Sequence, residues 1–420
     1  MKLYLRTFGC RANQYDGEAV RALATAAGWE IVTEPVEADV AVFNGCTVTA
    51  AADRDLRHAV RRAASSERAL RTVIMGCSGA RTAAPGSAGS LHDLPGVVGV
   101  VPGADMPAIA AMLGLPRDVL AAAPTQQAGT RALLRIQDGC DEHCTFCAST
   151  LARGAHRSRD ASALIDEASR LAERHPEIVL TGVHIGHWGR EHDTSLAALV
   201  ERLVAAVPIV RFRLTSIEAT EVDERLADLI CGEPERVAPH LHAPLQSGSD
   251  GLLRRMGRHW YTAATYACAV ERLARRATVL GLGADIITGF PAESESDHLA
   301  TLALVERLPF TYLHVFPYSP RPGTAATRLG RSVPAGVARR RAAELRALAG
   351  RKAEAYRATR AGGEADVVVI GDGAARNGLT GDYLSVALAN PATARGERFL
   401  ARLEGLATGL VAHRLHSTEH

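Results

Sequence analysis

The sequence predicts an α/β protein in three parts. An open parallel sheet with helices on its faces comes first, then a partial barrel of six βα units, then a small β-barrel. Three observations carry this. Strand-like and helical stretches alternate with short turns from residue 1 to about 115, the pattern of a parallel sheet. Six further strand candidates follow, mostly separated by helical stretches, which is how a parallel barrel reads. The last stretch changes to short β-like runs with turn residues between them. The expected parts are 1–118, 126–360 and 361–420.

In the first part, "KLYLRTF", "DVAVFNG", "RTVIMG" and "GVVGVVPG" are strand candidates. "GEAVRALATAAG" has helical spacing with Gly28 as its stop, and "AADRDLRHAVRRAAS" is amphipathic. Leu115 to Thr130 is small, polar and holds two prolines, so it reads as a linker. The barrel candidates are 132–137, 177–183, 209–216, 236–243, 278–289 and 311–319. "AGVARRRAAELRALAGRKAEAYRATRAGG" is one arginine-rich helix stopped by Gly362 and Gly363. "EADVVVI", "DYLSVAL", "ERFLARLE" and "LVAHRL" supply the final barrel, of a kind that binds nucleic acid.

The 420 residues carry a formal charge of +2, with 47% hydrophobic and 22% charged, which is a globular composition. No run of eighteen apolar residues appears, so no membrane span is expected. "MKLYLRTFGC" has no apolar core and no small-residue cleavage site, so no signal peptide is read. The cytoplasm is the expected location, where thiols stay reduced. Nearly all the positive charge is arginine, a bias that genome base composition explains as well as phosphate binding does.

The eight cysteines are then expected to be metal ligands or bystanders. "RIQDGCDEHCTFCAST" sets Cys140, Cys144 and Cys147 in one loop after the first barrel strand. A closed zinc site needs four ligands, and His143 or His156 would have to supply the fourth. Three thiolates can instead hold three irons of a [4Fe–4S] cluster, with one iron open to a substrate or cofactor. Cys10, Cys46 and Cys77 each follow a glycine at a strand end. Ligands of open α/β sheets sit beyond strand C-termini, so these three are expected to form a second three-thiol site. Cys231 and Cys268 lie in helical surroundings and receive no ligand role.

"TFGCRANQYDGEAV", "VFNGCTVTA", "MGCSGA", "GCDEHCTFC", "ARGAHRSR", "LTGVHIG", "RLTSIE", "LHAPLQSGSDGLLRRMGR", "DIITGFPAESESD" and "LHVFPYSPRPGTAA" follow one another from about residue 3 to about residue 330. In that order they resemble the radical S-adenosylmethionine methylthiotransferases, whose last domain is the small β domain called TRAM. The resemblance implies two [4Fe–4S] clusters and two S-adenosylmethionine molecules per turnover. The cluster on Cys140, Cys144 and Cys147 would cleave one of them to a 5′-deoxyadenosyl radical that takes hydrogen from the target carbon. The cluster on Cys10, Cys46 and Cys77 would carry the sulfur, methylated by the other. Such chemistry on an unactivated C–H bond belongs to the cofactor.

For S-adenosylmethionine the positions expected are Phe146, Gly182, Ser216, Glu218, Gln246 and Gly289, near the barrel's strand ends. Glu218 would meet the ribose hydroxyls or the aminium. Arg153, Arg157 and Arg159 are expected to contact RNA phosphates. His184, His187 and His192 read as a polar loop, with His184 lining the pocket. "CRANQY" and "LHVFPYSPRPGT" look most like the branch that modifies C2 of N6-threonylcarbamoyladenosine next to the anticodon, position 37 of tRNA. The partners implied are a tRNA anticodon stem-loop and an electron donor such as flavodoxin or ferredoxin. The alternatives are N6-isopentenyladenosine in tRNA, an aspartate of a ribosomal protein, or a zinc-stabilised RNA-binding protein without catalysis. The chain departs from the family at Gly45, at Ala148-Ser149-Thr150 and at Ala292, where the family favours threonine, two aliphatics with proline, and glycine.

Overall fold

The computed structural model describes residues 1–65 and 70–415. Strands β1 (Lys2–Thr7), β2 (Glu30–Val32), β3 (Val40–Gly45), β4 (Arg71–Met75) and β5 (Val97–Val100) form one parallel sheet in the order β2-β1-β3-β4-β5. β3 is buried along its whole length, as its continuous apolar run requires between two helical layers. Leu3, Val42, Val73 and Met75 pack against one layer, and Ala41, Phe43 and Ile74 against the other. Strand order reverses between β1 and β3, and such a switch point leaves a crevice beyond the strand ends. β2 was not among the sequence candidates. It is a three-residue edge strand, too short for a periodicity to register.

Strands β6 (Ala132–Arg135), β9 (Glu177–Thr181), β10 (Arg211–Leu214), β11 (His240–His242), β12 (Gly281–Thr288) and β13 (Tyr312–Pro317) match the six barrel candidates. The short pair β7 (Gln137–Asp138) and β8 (Arg157–Ser158) brackets the three-cysteine loop. β6-β9-β10 and β11-β12-β13 are parallel sheets joined by bridges from Phe212 to Val237 and from Ser216 to His242. Leu241, Leu282, Ala284, Ile286 and Val315 point outward into the main core under the helices. Strand alternation then turns His240, His242, Asp285, Tyr312, His314 and Phe316 toward the lumen.

The helix Ala335–Arg360 packs along β13. Several of its arginines are structural: Arg341 pairs with Glu293 at 2.8 Å, and Arg346 donates to the Val315 carbonyl at 2.9 Å. Strands β14 (Glu364–Ile370), β15 (Asn377–Thr380), β16 (Ser385–Leu388), β17 (Arg398–Leu406) and β18 (Gly409–Arg414) close into a barrel. It is fixed to the βα barrel by buried charge. Arg211 and Arg213 share Glu177, and Arg213 also donates to the carbonyls of Thr380 and Gly381 at 3.0 and 2.9 Å.

Candidate functional site

The first three-thiol site is made at the switch point of the open sheet. Cys10 caps the helix Arg11–Ala26 just past β1, Cys46 follows β3, and Cys77 opens the helix Gly76–Ala80 after β4. Asn13, fully buried, ties the three segments together. Its amide donates to the carbonyls of Phe8 and Gly45 at 3.1 and 2.9 Å, and its Oδ1 accepts from the Cys77 thiol at 3.5 Å. Gly9 and Gly76 have φ of +96° and +85°, which glycine adopts without cost. A Cβ on Gly9 would lie 2.6 Å from Cys46 Sγ, and one on Gly76 would lie 2.7 Å from the Gly45 carbonyl. Gly45 is equally crowded, since a Cβ there would meet Leu56 and Ser78 at 2.7 Å. Burial pushes the Cys46 thiol up and the Cys77 thiol up to about 12, while Arg153 pulls both down.

Arg153 was expected on RNA. The structure instead buries it between the sheet and the βα barrel. Its guanidinium donates to Asn13 Oδ1 and Asp16 Oδ2, both at 2.6 Å, and to Asp138 Oδ1 at 3.0 Å. Burial opposes its charge, but Asp16 and the nearby thiols raise its pKa further. Arg159 is also engaged, with Glu167 at 2.7 Å and the Tyr15 hydroxyl at 3.1 Å. Neither is free for a phosphate. Arg157 is exposed, with one long contact to the Arg153 carbonyl. Charge clustering could not reveal that Arg153 and Arg159 both find partners, Asn13, Asp16 and Tyr15, on the helix after Cys10. The only sequence signal was the "NQYD" that follows that cysteine.

The second site is the loop after β6. Cys140, Cys144 and Cys147 are each half-buried and unpaired. Burial pushes the Cys144 thiol up to about 12, against the pull of Arg258. Arg258 Nη1 lies 3.7 Å from Cys144 Sγ, and its Nη2 donates to both oxygens of Glu218. Glu218, expected to meet S-adenosylmethionine, is therefore a buried counter-ion that positions Arg258. His184 Nδ1 approaches Cys140 Sγ at 3.6 Å, and its Nε2 bonds Glu221 at 2.9 Å. Phe146 is half-buried and meets Phe290 edge-on at 6.4 Å.

The remaining expected cofactor positions lie near the C-terminal ends of the barrel strands. Gly182 is packed so that a Cβ would meet the Gln137 carbonyl at 2.7 Å. Ser216 is exposed and bridges to His242. Gln246 has φ of +65° and exchanges backbone bonds with Asp285 and Ile287. Gly289 has φ of +74°, and its N–H donates to Glu293 at 2.6 Å.

Both donor sets fit an iron–sulfur cluster with one iron left without a protein ligand. His156, one candidate for closing a zinc site, has Nδ1 on Gln137 and Nε2 on Glu191 at 2.9 and 3.0 Å. His143 is exposed. Raised thiols stay protonated until metal displaces the proton.

The two sites meet across the chain after β13. Ala326 N–H donates to the Thr145 carbonyl in the Cys140–Cys147 loop at 2.8 Å. Ala50 N–H donates to Ser319 Oγ at 3.2 Å, and Arg321 donates to Thr47 Oγ1 at 3.3 Å, next to Cys46.

Residues 2–88 match the uncharacterized protein family UPF0004, and residues 134–305 match the radical SAM superfamily. The threonylcarbamoyladenosine tRNA methylthiotransferase MtaB of Aquifex aeolicus is 32% identical over 92% of this chain and 96% of its own. The chain belongs to the radical S-adenosylmethionine methylthiotransferase family. The MtaB of Bacillus subtilis is 34% identical over 83% of this chain and 80% of its own. The tRNA-2-methylthio-N(6)-dimethylallyladenosine synthase of Erythrobacter litoralis is 33% identical over 87% and 85%. The radical S-adenosylmethionine methyltransferase TsrM of Kitasatospora setae shares the fold, with a TM-score of 0.56 at 14% identity over 77% of this chain and 76% of that one. This methylthiotransferase is a transferase that uses S-adenosylmethionine and iron–sulfur clusters. That sets aside the non-catalytic zinc reading. No helix among the described residues is long and apolar enough to cross a membrane.

Proposed function

We propose that the enzyme places a methylthio group on C2 of N6-threonylcarbamoyladenosine, next to the anticodon of tRNA at position 37. Cys140, Cys144 and Cys147 hold the radical-generating cluster, and Cys10, Cys46 and Cys77 hold the sulfur-donating one. The observation that carries this reading is the joining of both thiol loops to one segment, 319–326, in a chain that matches its Aquifex relative almost end to end. When bound, the clusters and two S-adenosylmethionine molecules supply the methyl group, the sulfur and the hydrogen-abstracting radical.

The chain's own residues do the rest. Arg153 and Asn13 hold the sulfur-site loops against the barrel. Arg258 places a buried cation beside Cys144. Phe146, Gly182, Ser216, Gln246 and Gly289 edge the space for S-adenosylmethionine, and Arg157 is the arginine of "ARGAHRSR" open to a phosphate. Holding reactants in one orientation removes much of the entropic barrier, and a closed site keeps water from the radical. A flavodoxin or ferredoxin supplies the electron.

Nucleoside mass spectrometry of tRNA from a deletion strain tests the assignment. The 2-methylthio form of N6-threonylcarbamoyladenosine should vanish and return with the wild-type gene. Loss of the methylthio-dimethylallyl nucleoside instead would move the enzyme to the branch of its Erythrobacter relative.

A further inference from the structure

The lumen of the βα barrel has two polar layers, and they are treated differently. In the lower layer, Tyr312 OH joins His240 Nε2 at 2.8 Å and His242 Nδ1 at 3.0 Å. Tyr383 of the closed β-barrel covers it, its ring tilted against His240 at 4.6 Å and against Tyr312 at 5.5 Å. In the layer above, Asp285 Oδ1 sits between His242 Nε2 at 3.0 Å and His314 Nδ1 at 3.2 Å. Here the cover stops: the His314 side chain is 51% exposed and Phe316, 6.1 Å from it, is 44% exposed. These side chains stand on β13, whose continuation touches the loops of both thiol sites. A polar wall left open on a strand that runs on to both thiol loops is suited to a polar ligand.

We propose that His242, Asp285 and His314, with Phe316 beside them, form the subsite that takes the anionic substituent on N6 of the target adenine. The inference rests on the threonylcarbamoyl reading above and deepens it. That substituent carries a carboxylate, a hydroxyl and a ureido group, whereas a dimethylallyl group carries no polar atom. Ionised Asp285 accepts from His314 Nδ1–H, which fixes the ring's orientation. A protonated His314 then presents its Nε2–H to the substrate carboxylate, a charge-assisted hydrogen bond. Phe316 offers a face for the base or the aliphatic part of the substituent. A dimethylallyl group at the same place would desolvate the Asp285–His314 pair and return no hydrogen bond.

The test uses the reconstituted holoenzyme and synthetic anticodon stem-loops carrying threonylcarbamoyl, dimethylallyl or no substituent on N6. Binding is read by fluorescence anisotropy and turnover by methylthio product. Wild type should bind the threonylcarbamoyl loop more tightly than the unmodified one. In His314→Leu that preference should shrink roughly tenfold or more, with affinity for the unmodified loop unchanged. His314→Gln, which still donates, should keep part of it. An unchanged preference in His314→Leu, or an equal weakening on all three loops, would overturn the subsite. If wild type binds the threonylcarbamoyl loop but forms no methylthio product on it, the substrate reading fails instead, and the subsite with it.

Discussion

The two thiol sites are built in opposite ways. Cys140, Cys144 and Cys147 lie within eight residues of one loop. Cys10, Cys46 and Cys77 come from three separate strand ends and meet only because the sheet order reverses between β1 and β3. What they share is a buried arginine balanced by a buried carboxylate: Arg258 with Glu218 at the loop site, and Arg153 with Asp16 at the sheet site. The contrast teaches that a loop site is specified by local spacing, and a strand-end site by the fold that surrounds it. The shared feature is a fixed cation beside thiolates that would otherwise be costly to bury.

The comparison is broken hardest at the ligands. Cys46→Ala and Cys144→Ala should each abolish methylthio product and remove about half of the iron. Only Cys144→Ala should also stop formation of 5′-deoxyadenosine, which liquid chromatography reads directly. Gly76→Ala comes next. It forces a side chain into a left-handed position already filled by the Gly45 carbonyl. It should cost the sheet-site iron and the product while leaving S-adenosylmethionine cleavage intact.

Arg153→Met should then lower stability by about 1.5–3 kcal/mol in chemical denaturation, since it removes one of the two arginines that pair with buried Asp16 and leaves Arg135 alone. The same substitution carries a pH signature at Asp138. Burial pushes that carboxyl up, but Arg153 and Arg135 prevail and hold it below the ordinary range. A lowered folded pKa adds stability above the unfolded value of about 3.9, and this is lost as pH falls through the folded value. Arg153→Met should flatten that acid-side loss in a series of thermal melts.

Ala292→Gly has the smallest expected effect. Ala292 sits at φ +61°, so glycine there should add about 1 kcal/mol of stability, read as a higher melting temperature with unchanged product.

Much of this was legible in the sequence because it repeats locally. The six barrel strands, the long helix and the C-x3-C-x2-C loop are all short-range patterns. The gathering of Cys10, Cys46 and Cys77 could be expected because each follows a glycine at a strand end. The edge strand β2 and the strand β15, which begins Asn-Gly, carry too little apolar pattern to register. The roles of single charged residues were not legible. Arg153, Arg159 and Glu218 were expected on substrate or cofactor, yet their partners Asp16, Tyr15 and Arg258 lie far away in sequence. A charge near a catalytic loop looks the same in sequence whether it faces solvent or a buried counter-ion. Asn13 and His314 went unassigned for the same reason, although both lie in stretches that marked the family branch.

Mössbauer spectroscopy of anaerobically reconstituted protein, wild type beside the Cys10→Ala, Cys46→Ala, Cys77→Ala triple variant, tests the claim of two separate clusters most directly. Wild type should show cubane doublets for about eight irons, and the triple variant half that intensity with the loop cluster intact. A wild type holding only one cubane, or a triple variant with undiminished signal, would contradict it.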